Sequence, residues 1–182
     1  RLADDPHLCK TLDPVHLTQA LNALCKWPDN ELCAAAVGRL AERLADEPEL
    51  RKDLDTQGVA NTLNALSKWP NSEICAAAVS ALAKRLADDS ELREDLDPQG
   101  VVTALNALSK WPDMPVCAAA ASALAERLAD DPWLRKALNP QELTNALNAL
   151  SKWPDVPVCG EVVNALAERL VDDPRLRKSL DA

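Results

Sequence analysis

A short motif that recurs at one fixed spacing is the strongest constraint on how this chain folds. Lys-Trp-Pro occurs four times, each time 42 residues after the previous occurrence. A second motif, Arg-Leu-Ala-Asp-Asp or a close variant, occurs five times with the same 42-residue step. A fixed period of this size, without insertion or deletion, is typical of a repeat array whose units bury their apolar faces against one another.

The sequence of each 42-residue unit predicts three helices, and the second unit serves as the example. Residues 47–54 predict a short helix with an acidic cap and a proline in its first turn. A middle helix is predicted from the turn at residues 55–58 to about Lys68, because apolar residues follow at helical spacing and a proline ends it. A long helix is predicted from about Glu73 to Ala87. The sequence therefore predicts an all-α fold, a right-handed armadillo/HEAT-like α-solenoid of 42-residue three-helix repeats.

The register of the motifs divides the chain into one partial and four full repeats. The hydrophobic content of 47%, with no Tyr and no Phe, requires a core of Leu, Ala and Val. Neither end differs from an interior unit, so we expect the parent array to continue in both directions and a truncated stack to associate end to end. The predicted divisions are 1–12, 13–54, 55–96, 97–138 and 139–182.

Charge and hydropathy weigh against two classes of partner. The formal net charge is −9, and every repeat is acidic. Nucleic-acid affinity depends largely on clustered Lys and Arg, so this balance weighs against nucleic-acid binding as the main activity. No apolar run of about 18 residues occurs, and we therefore expect no membrane span.

Six cysteines occur, and four of them recur once per repeat at the same position. This recurrence indicates core packing, since a zinc site needs paired ligands close together in sequence. Equivalent cysteines of neighbouring repeats are expected about 10 Å apart, which is too long for a disulfide. We therefore expect free thiols, a reducing compartment and no metal or other cofactor. The recurring cysteines are Cys33, Cys75, Cys117 and Cys159.

Two rows of polar residues form the candidate binding strip. One Asn follows a core leucine in every middle helix, and one Lys lies at the C-terminal end of each. Amides repeated at one height can hold the backbone of an extended peptide; alternatively, they form hydrogen bonds between neighbouring repeats. The lysines also complement the helix dipole, so a structural role stays open for them. The amide row is Asn22, Asn64, Asn106 and Asn148, and the lysine row is Lys26, Lys68, Lys110 and Lys152.

The tryptophans fall into two groups. Four recur with the Lys-Trp-Pro motif and are predicted to pack at the seams between repeats. Trp133 has no aromatic counterpart in the other repeats, so we predict that it lies exposed on a short helix as a candidate interface anchor. The seam residues are Trp27, Trp69, Trp111 and Trp153.

The long helix has two further features. Arg43 and Asp46 are three residues apart, which predicts an ion pair on one helix face. The outward face has small residues that differ between repeats, which suits either the selection of a partner or drift at exposed positions. These residues are Gly38, Ser80, Ser122 and Asn164.

The sequence contains no pattern typical of a catalytic site. It has no glycine-rich phosphate loop, and no Ser or Cys has a plausible His base. The carboxylates recur in register, whereas an active site needs residues that stand apart from the repeat. We therefore expect a protein that is not an enzyme.

The segment Leu-Asn-Ala-Leu-Ser-Lys-Trp-Pro is closely similar to the signature of the SKWP repeat family, the tandem 42-residue repeats of large type III secretion effectors from plant-pathogenic bacteria. The similarity covers the whole chain, although Cys25 replaces Ser in the first repeat. The resemblance implies secretion into a host cell and action in the host cytoplasm. It also implies a protein-protein interaction scaffold that acts on host proteins, without a defined biochemical activity.

A second similarity keeps RNA binding as an alternative. Pro-Gln-Glu-Leu-Thr-Asn-Ala-Leu, at residues 140–147, resembles part of the octotricopeptide-type RNA-binding repeat, with Asn148 in place of the first Trp of that pattern. The acidic balance and the scarcity of aromatic residues leave little for stacking on bases. A third alternative is a structural spacer that has no ligand.

Overall fold

A computed structural model describes residues 10–173 of the chain. This range is helical throughout, and it contains eleven complete helices and no strand. The middle helices are α1 (Pro14–Leu24), α4 (Thr56–Leu66), α7 (Pro98–Leu108) and α10 (Pro140–Leu150). The long helices are α2 (Glu31–Asp46), α5 (Glu73–Asp88), α8 (Pro115–Asp130) and α11 (Pro157–Asp172). The short helices are α3 (Pro48–Lys52), α6 (Ser90–Asp95) and α9 (Pro132–Ala137).

Capping residues and prolines fix the helix ends where the sequence predicts them. The Asp55 carboxylate accepts a hydrogen bond of 2.6 Å from the Gly58 N–H and so caps α4. The long helix α5 begins after Ser72, whose hydroxyl accepts from the Cys75 N–H. The middle helix α4 ends at Leu66, two residues before the predicted end, because the turn begins at the C-cap Ser67.

Middle helices pack against middle helices, and long helices pack against long helices. The middle helix α4 packs against α1 and α7, and the long helix α5 packs against α2 and α8. One apolar cluster extends between the two layers, and its largest fully buried side chains are leucines. The prediction of an all-helical fold with a Leu, Ala and Val core is confirmed. In the described range, no helix is both long and apolar enough to span a bilayer.

A set of arginines connects each long helix to a short segment that lies 31–34 residues earlier in the chain. Arg85 of α5 donates to the carbonyl oxygen of Leu54 at 2.8 Å and to that of Arg51. The bond to the Leu54 carbonyl gives a partner to a group just after the end of α3, and the bond to the Arg51 carbonyl adds to the one that this group accepts from the Leu54 N–H. The equivalent arginines make the same type of contact. They are Arg43, Arg127 and Arg169.

The predicted ion pair between Arg43 and Asp46 is wrong. Arg43 instead forms a bidentate pair with Glu47, with both N–O distances at 2.9 Å. Glu47 is the C-cap residue of α2, one helical turn after Arg43, so its carboxylate meets the guanidinium fork. The hydrogen bond from Arg43 lowers the pKa of Glu47 from its ordinary value of 4.5, against the opposing effect of burial.

The seam prediction for the tryptophans is confirmed in part. Trp69 Nε1 donates to the Pro28 carbonyl at 3.2 Å, and Trp153 Nε1 donates to the Pro112 carbonyl at 3.2 Å. Trp111 is buried, but its Nε1 has no hydrogen-bond partner within the described residues.

Trp27 departs from this pattern. Its side chain is 59% exposed, so the seam prediction is wrong at this position.

The recurring cysteines lie at the start of the long helices. Cys75, Cys117 and Cys159 are buried, whereas Cys33 is half-buried. Burial raises the pKa of Cys117 to about 11 and also raises the pKa of Cys75 and Cys159. Cys9 lies outside the described residues. The structure contains no disulfide between described cysteines.

Candidate functional site

The residues of the Ser-Lys-Trp-Pro motif have different roles in the fold. The Ser67 hydroxyl donates to the Asn64 carbonyl at 2.7 Å and so caps the end of α4. The Pro28 carbonyl accepts from the indole of the next motif. Cys25, which replaces the serine in the first motif, makes the same type of contact with the Asn22 carbonyl at 3.3 Å. Ser, Trp and Pro therefore have structural explanations.

The lysine of the motif makes no hydrogen bond or ion pair with a described residue. All four side chains of the lysine row are exposed, and none lies within ion-pair distance of a carboxylate among the described residues. Their position at the C-terminal ends of the middle helices is favourable for the helix dipole, an effect of about 0.3–1 kcal/mol at an exposed site. The ammonium groups are still available to a ligand.

The amide row is also available. Asn22, Asn64 and Asn106 are half-buried and Asn148 is exposed. Their backbone carbonyls are engaged in capping, but within residues 10–173 no hydrogen bond involves one of their side-chain amides. Each amide carries two donor hydrogens and one acceptor oxygen. The alternative in which these amides connect neighbouring segments therefore finds no hydrogen bond in support.

Three grooves lie between successive middle helices. The groove between α1 and α4 has a volume of about 260 Å³, and its lining includes Asn22. The grooves between α4 and α7 and between α7 and α10 each have a volume of about 270 Å³. Asn64 and Asn106 both line the last of these. Three members of the amide row thus lie along connected clefts on one face of the molecule.

Additional polar residues line the same grooves, and the sequence analysis did not single them out. On α4 they are Gln57 and Asn61, which precede Asn64 by seven and three residues. This spacing places all three on one helix face. The signal was the polar stripe at helical spacing on the middle helices, in which one position is Gln in three segments and the other varies in residue type. Its other members are Gln19, Gln99, Thr103, Gln141 and Asn145.

The two edges of the grooved face carry opposite charge. Carboxylates line the grooves near the N-terminal ends of the middle helices, whereas the lysine row follows their C-terminal ends. Asp55 and Lys68 are 13 positions apart along α4 and its flanks, which corresponds to about 20 Å at the helical rise. The groove carboxylates are Asp53, Asp55, Asp95, Asp97 and Glu142.

A larger depression lies on the opposite side, between short and long helices. It has a volume of about 580 Å³ and is lined by Arg85, Lys84 and Asp88 among others. Lys84 pairs with Asp88 at 2.8 Å, and Arg85 is engaged with backbone carbonyls. Because these charged groups already have intramolecular partners, size alone does not make this depression the better site. The grooves between the middle helices combine a cavity with unengaged polar groups.

Trp133 lies where the sequence analysis predicts, on the short helix α9 and 78% exposed. The Lys136 ammonium lies 5.6 Å from its ring centroid, one helical turn away. This cation–π contact holds the indole against its own helix. Trp133 is distant in the sequence from the amide row, and it lines none of the three grooves.

Among residues 10–173, no group of three or more His, Cys, Asp or Glu side chains is placed to hold a metal ion. Comparison with protein-family models, with curated proteins and with solved structures found no match to this chain. The function is therefore argued from the grooves themselves.

Proposed function

We propose that this protein is an interaction scaffold that binds an extended segment of another polypeptide across the face of its middle helices. The observation that supports this proposal best is that three side-chain amides of the row, those of Asn22, Asn64 and Asn106, line the first and third of the three grooves and have no hydrogen-bond partner among the described residues. An extended peptide exposes unpaired N–H and C=O groups along its length. Each Asn can donate to such a C=O and accept from such an N–H.

The proposed architecture is a right-handed armadillo/HEAT-like solenoid of 42-residue repeats. The packing of middle helices on middle helices and of long helices on long helices supports it, because an array of this kind places equivalent residues side by side. The Arg and Trp contacts between successive segments support it as well. Such a stack gives a ligand a row of similar subsites.

The carboxylates on the same face favour a polypeptide over RNA. Five acidic side chains line the three grooves. A nucleic acid bound there brings its phosphates close to these carboxylates, and the repulsion adds to that from the net charge of −9. The grooves of the described range also lack an aromatic side chain on which a base can stack.

The similarity to the SKWP repeats places this scaffold, as part of the proposal, in a type III effector that acts on proteins of a host cell. The five described cysteines are free thiols, which agrees with a reducing cytoplasm. A spacer without a ligand is the remaining alternative; the helix dipole accounts for the lysines in it, but it gives no reason for side-chain amides that have no hydrogen-bond partner among the described residues.

A random peptide library tests the proposal without a known partner. We expect selection against the wild-type protein to yield peptides whose binding is lost in the Asn64→Ala/Asn106→Ala variant. A Ser80→Ala/Ser122→Ala variant on the long helices is the matched control and should retain binding. Circular dichroism checks that both variants keep the helical fold.

Two results would overturn the proposal. One is a set of selected peptides that bind the Asn64→Ala/Asn106→Ala variant as tightly as the wild type. The other is tight binding of a single-stranded RNA, measured by filter binding, with an affinity that falls steeply as salt concentration rises. The second result would establish RNA binding instead.

A further inference from the structure

The grooved face differs from a simple row of amides because its two edges carry opposite charge. Carboxylates line the grooves at one edge, and the exposed lysine row follows the other. The lysines have no carboxylate partner in the described part of the chain. A ligand that lies along the amide row therefore has the groove carboxylates on one side and the lysine ammonium groups on the other, although an exposed Asp follows three of the four lysines by three residues.

The geometry of an extended chain determines which of its groups meet these edges. Successive side chains of a β-strand point in opposite directions, and the backbone N–H and C=O groups point roughly at right angles to them. When the amides of the groove floor bind the backbone, the side chains lie parallel to the floor. Alternate side chains then point to opposite edges.

The distances suit such an arrangement. Asn64 precedes Lys68 by four residues, or about 6 Å along the helix axis, and Asn61 follows Asp55 by six residues, or about 9 Å. A Lys or Glu side chain of a ligand that lies between these edges can cover most of either distance. Adjacent middle helices are expected about 8–10 Å apart, which corresponds to about three residues of an extended chain.

We infer that the ligand is an extended segment in which basic and acidic residues alternate. Its basic side chains lie toward Asp55 and Asp97, and its acidic side chains lie toward Lys68 and Lys110. The polar residues that line the grooves differ between segments, but every middle helix is followed by a lysine of the row. Acidic side chains of the ligand can therefore meet a lysine at each middle helix. This inference rests on the proposed function, because it assumes that the amide row binds the backbone.

Synthetic peptides of about 12 residues test the inference, since this length spans the four middle helices. In one peptide Lys and Glu alternate; in a second, all Lys precede all Glu; in a third, Lys and Gln alternate; and in a fourth, Thr and Gln alternate. Fluorescence anisotropy at low salt measures their binding to the complete chain. We expect the Lys-Glu alternating peptide to bind about tenfold more tightly than the block peptide.

A pair of variants separates the two edges. In a Lys68→Ala/Lys110→Ala variant, the Lys-Glu alternating peptide should lose its advantage over the Lys-Gln alternating peptide. A Lys52→Ala/Lys136→Ala variant, which removes exposed lysines from the short helices, should preserve it. The inference is overturned when the alternating and block peptides bind equally, or when the lysine-row variant leaves the advantage intact.

The neutral Thr-Gln peptide distinguishes this failure from failure of the proposed function. If it binds as tightly as the charged peptides and loses binding with Asn64→Ala/Asn106→Ala, the amide row binds backbone and only the charge inference is wrong. If no peptide shows binding that depends on these asparagines, both are wrong. Preferential binding of an oligouridylate probe that depends on Lys68 and Lys110 also overturns both.

Discussion

The indole N–H of Trp153 donates a hydrogen bond to the carbonyl oxygen of Pro112, 3.2 Å away and 41 residues earlier in the chain. The same relationship joins Trp69 to Pro28. Trp111 occupies the equivalent position in the intervening segment and is also buried, yet its Nε1 has no partner among the described residues. Successive copies of one motif thus provide a seam tryptophan with its hydrogen bond and one without.

Trp153→Phe should destabilise the fold more than Trp111→Phe. Both substitutions remove a similar apolar area from a buried site, since the two indoles are 5% and 8% exposed. Only Trp153→Phe removes a hydrogen bond, which contributes about 1 kcal/mol to a typical free energy of unfolding. Urea denaturation followed by circular dichroism measures the difference. Equal effects would show that the bond to Pro112 adds no net stability.

Arg85→Ala should lower the free energy of unfolding by about 2–3 kcal/mol. It removes a half-buried guanidinium that donates to the Leu54 and Arg51 carbonyls, and of these two acceptors only Arg51 keeps another backbone donor, the Leu54 N–H. Arg39→Ala is the control, because Arg39 is half exposed and its one ion pair within the described residues, with Glu42, is long at 3.9 Å. That change should cost less than about 0.5 kcal/mol. A similar effect of both substitutions in urea titrations would contradict the capping role of Arg85.

The helix order was predictable because caps and prolines mark each boundary. The proline at the start of α7 and the proline at the start of α8 stand in first turns, the position where a helix tolerates them. The partner of Arg43 was not predictable by spacing alone. Both Asp46 and Glu47 are within reach in sequence, and the choice depends on how the chain leaves α2.

The candidate site was predictable in part. The recurrence of Asn and Lys at fixed positions predicted the amide row and the lysine row. It could not show whether the side-chain amides form hydrogen bonds within the protein. Asn61 was missed because its position varies between segments, whereas Gln57 was missed although the same residue recurs 42 and 84 positions later as Gln99 and Gln141. The exposure of Trp27 was not predictable from the motif either, since the same motif buries Trp111 and Trp153.

Glu47 should contribute to acid sensitivity of the fold. The hydrogen bond and charge of Arg43 lower its pKa below 4.5 in the folded state, so its stabilising effect is present above that pH and is lost as pH falls through the folded pKa. Glu47→Gln should therefore reduce stability at neutral pH by about 0.5 kcal/mol and leave it nearly unchanged in acid.

Denaturation midpoints across the acid range check this prediction for Glu47. Glu49→Gln is the control, because Glu49 is exposed and makes no ion pair with a described residue. The difference between the two variants should shrink as pH falls below 4.5. A difference that is constant with pH would exclude an electrostatic origin.

Cys117 should resist alkylation in the native state. Its side chain is fully buried, and burial raises its pKa to about 11, so at about pH 8 the reactive thiolate is both scarce and inaccessible. Cys33 is half-buried at the equivalent position of α2 and should react with iodoacetamide first. Site-resolved mass spectrometry gives both rates, and addition of denaturant should bring them together. Equal native rates would mean that α8 opens locally far more often than its packing against α5 and α11 implies.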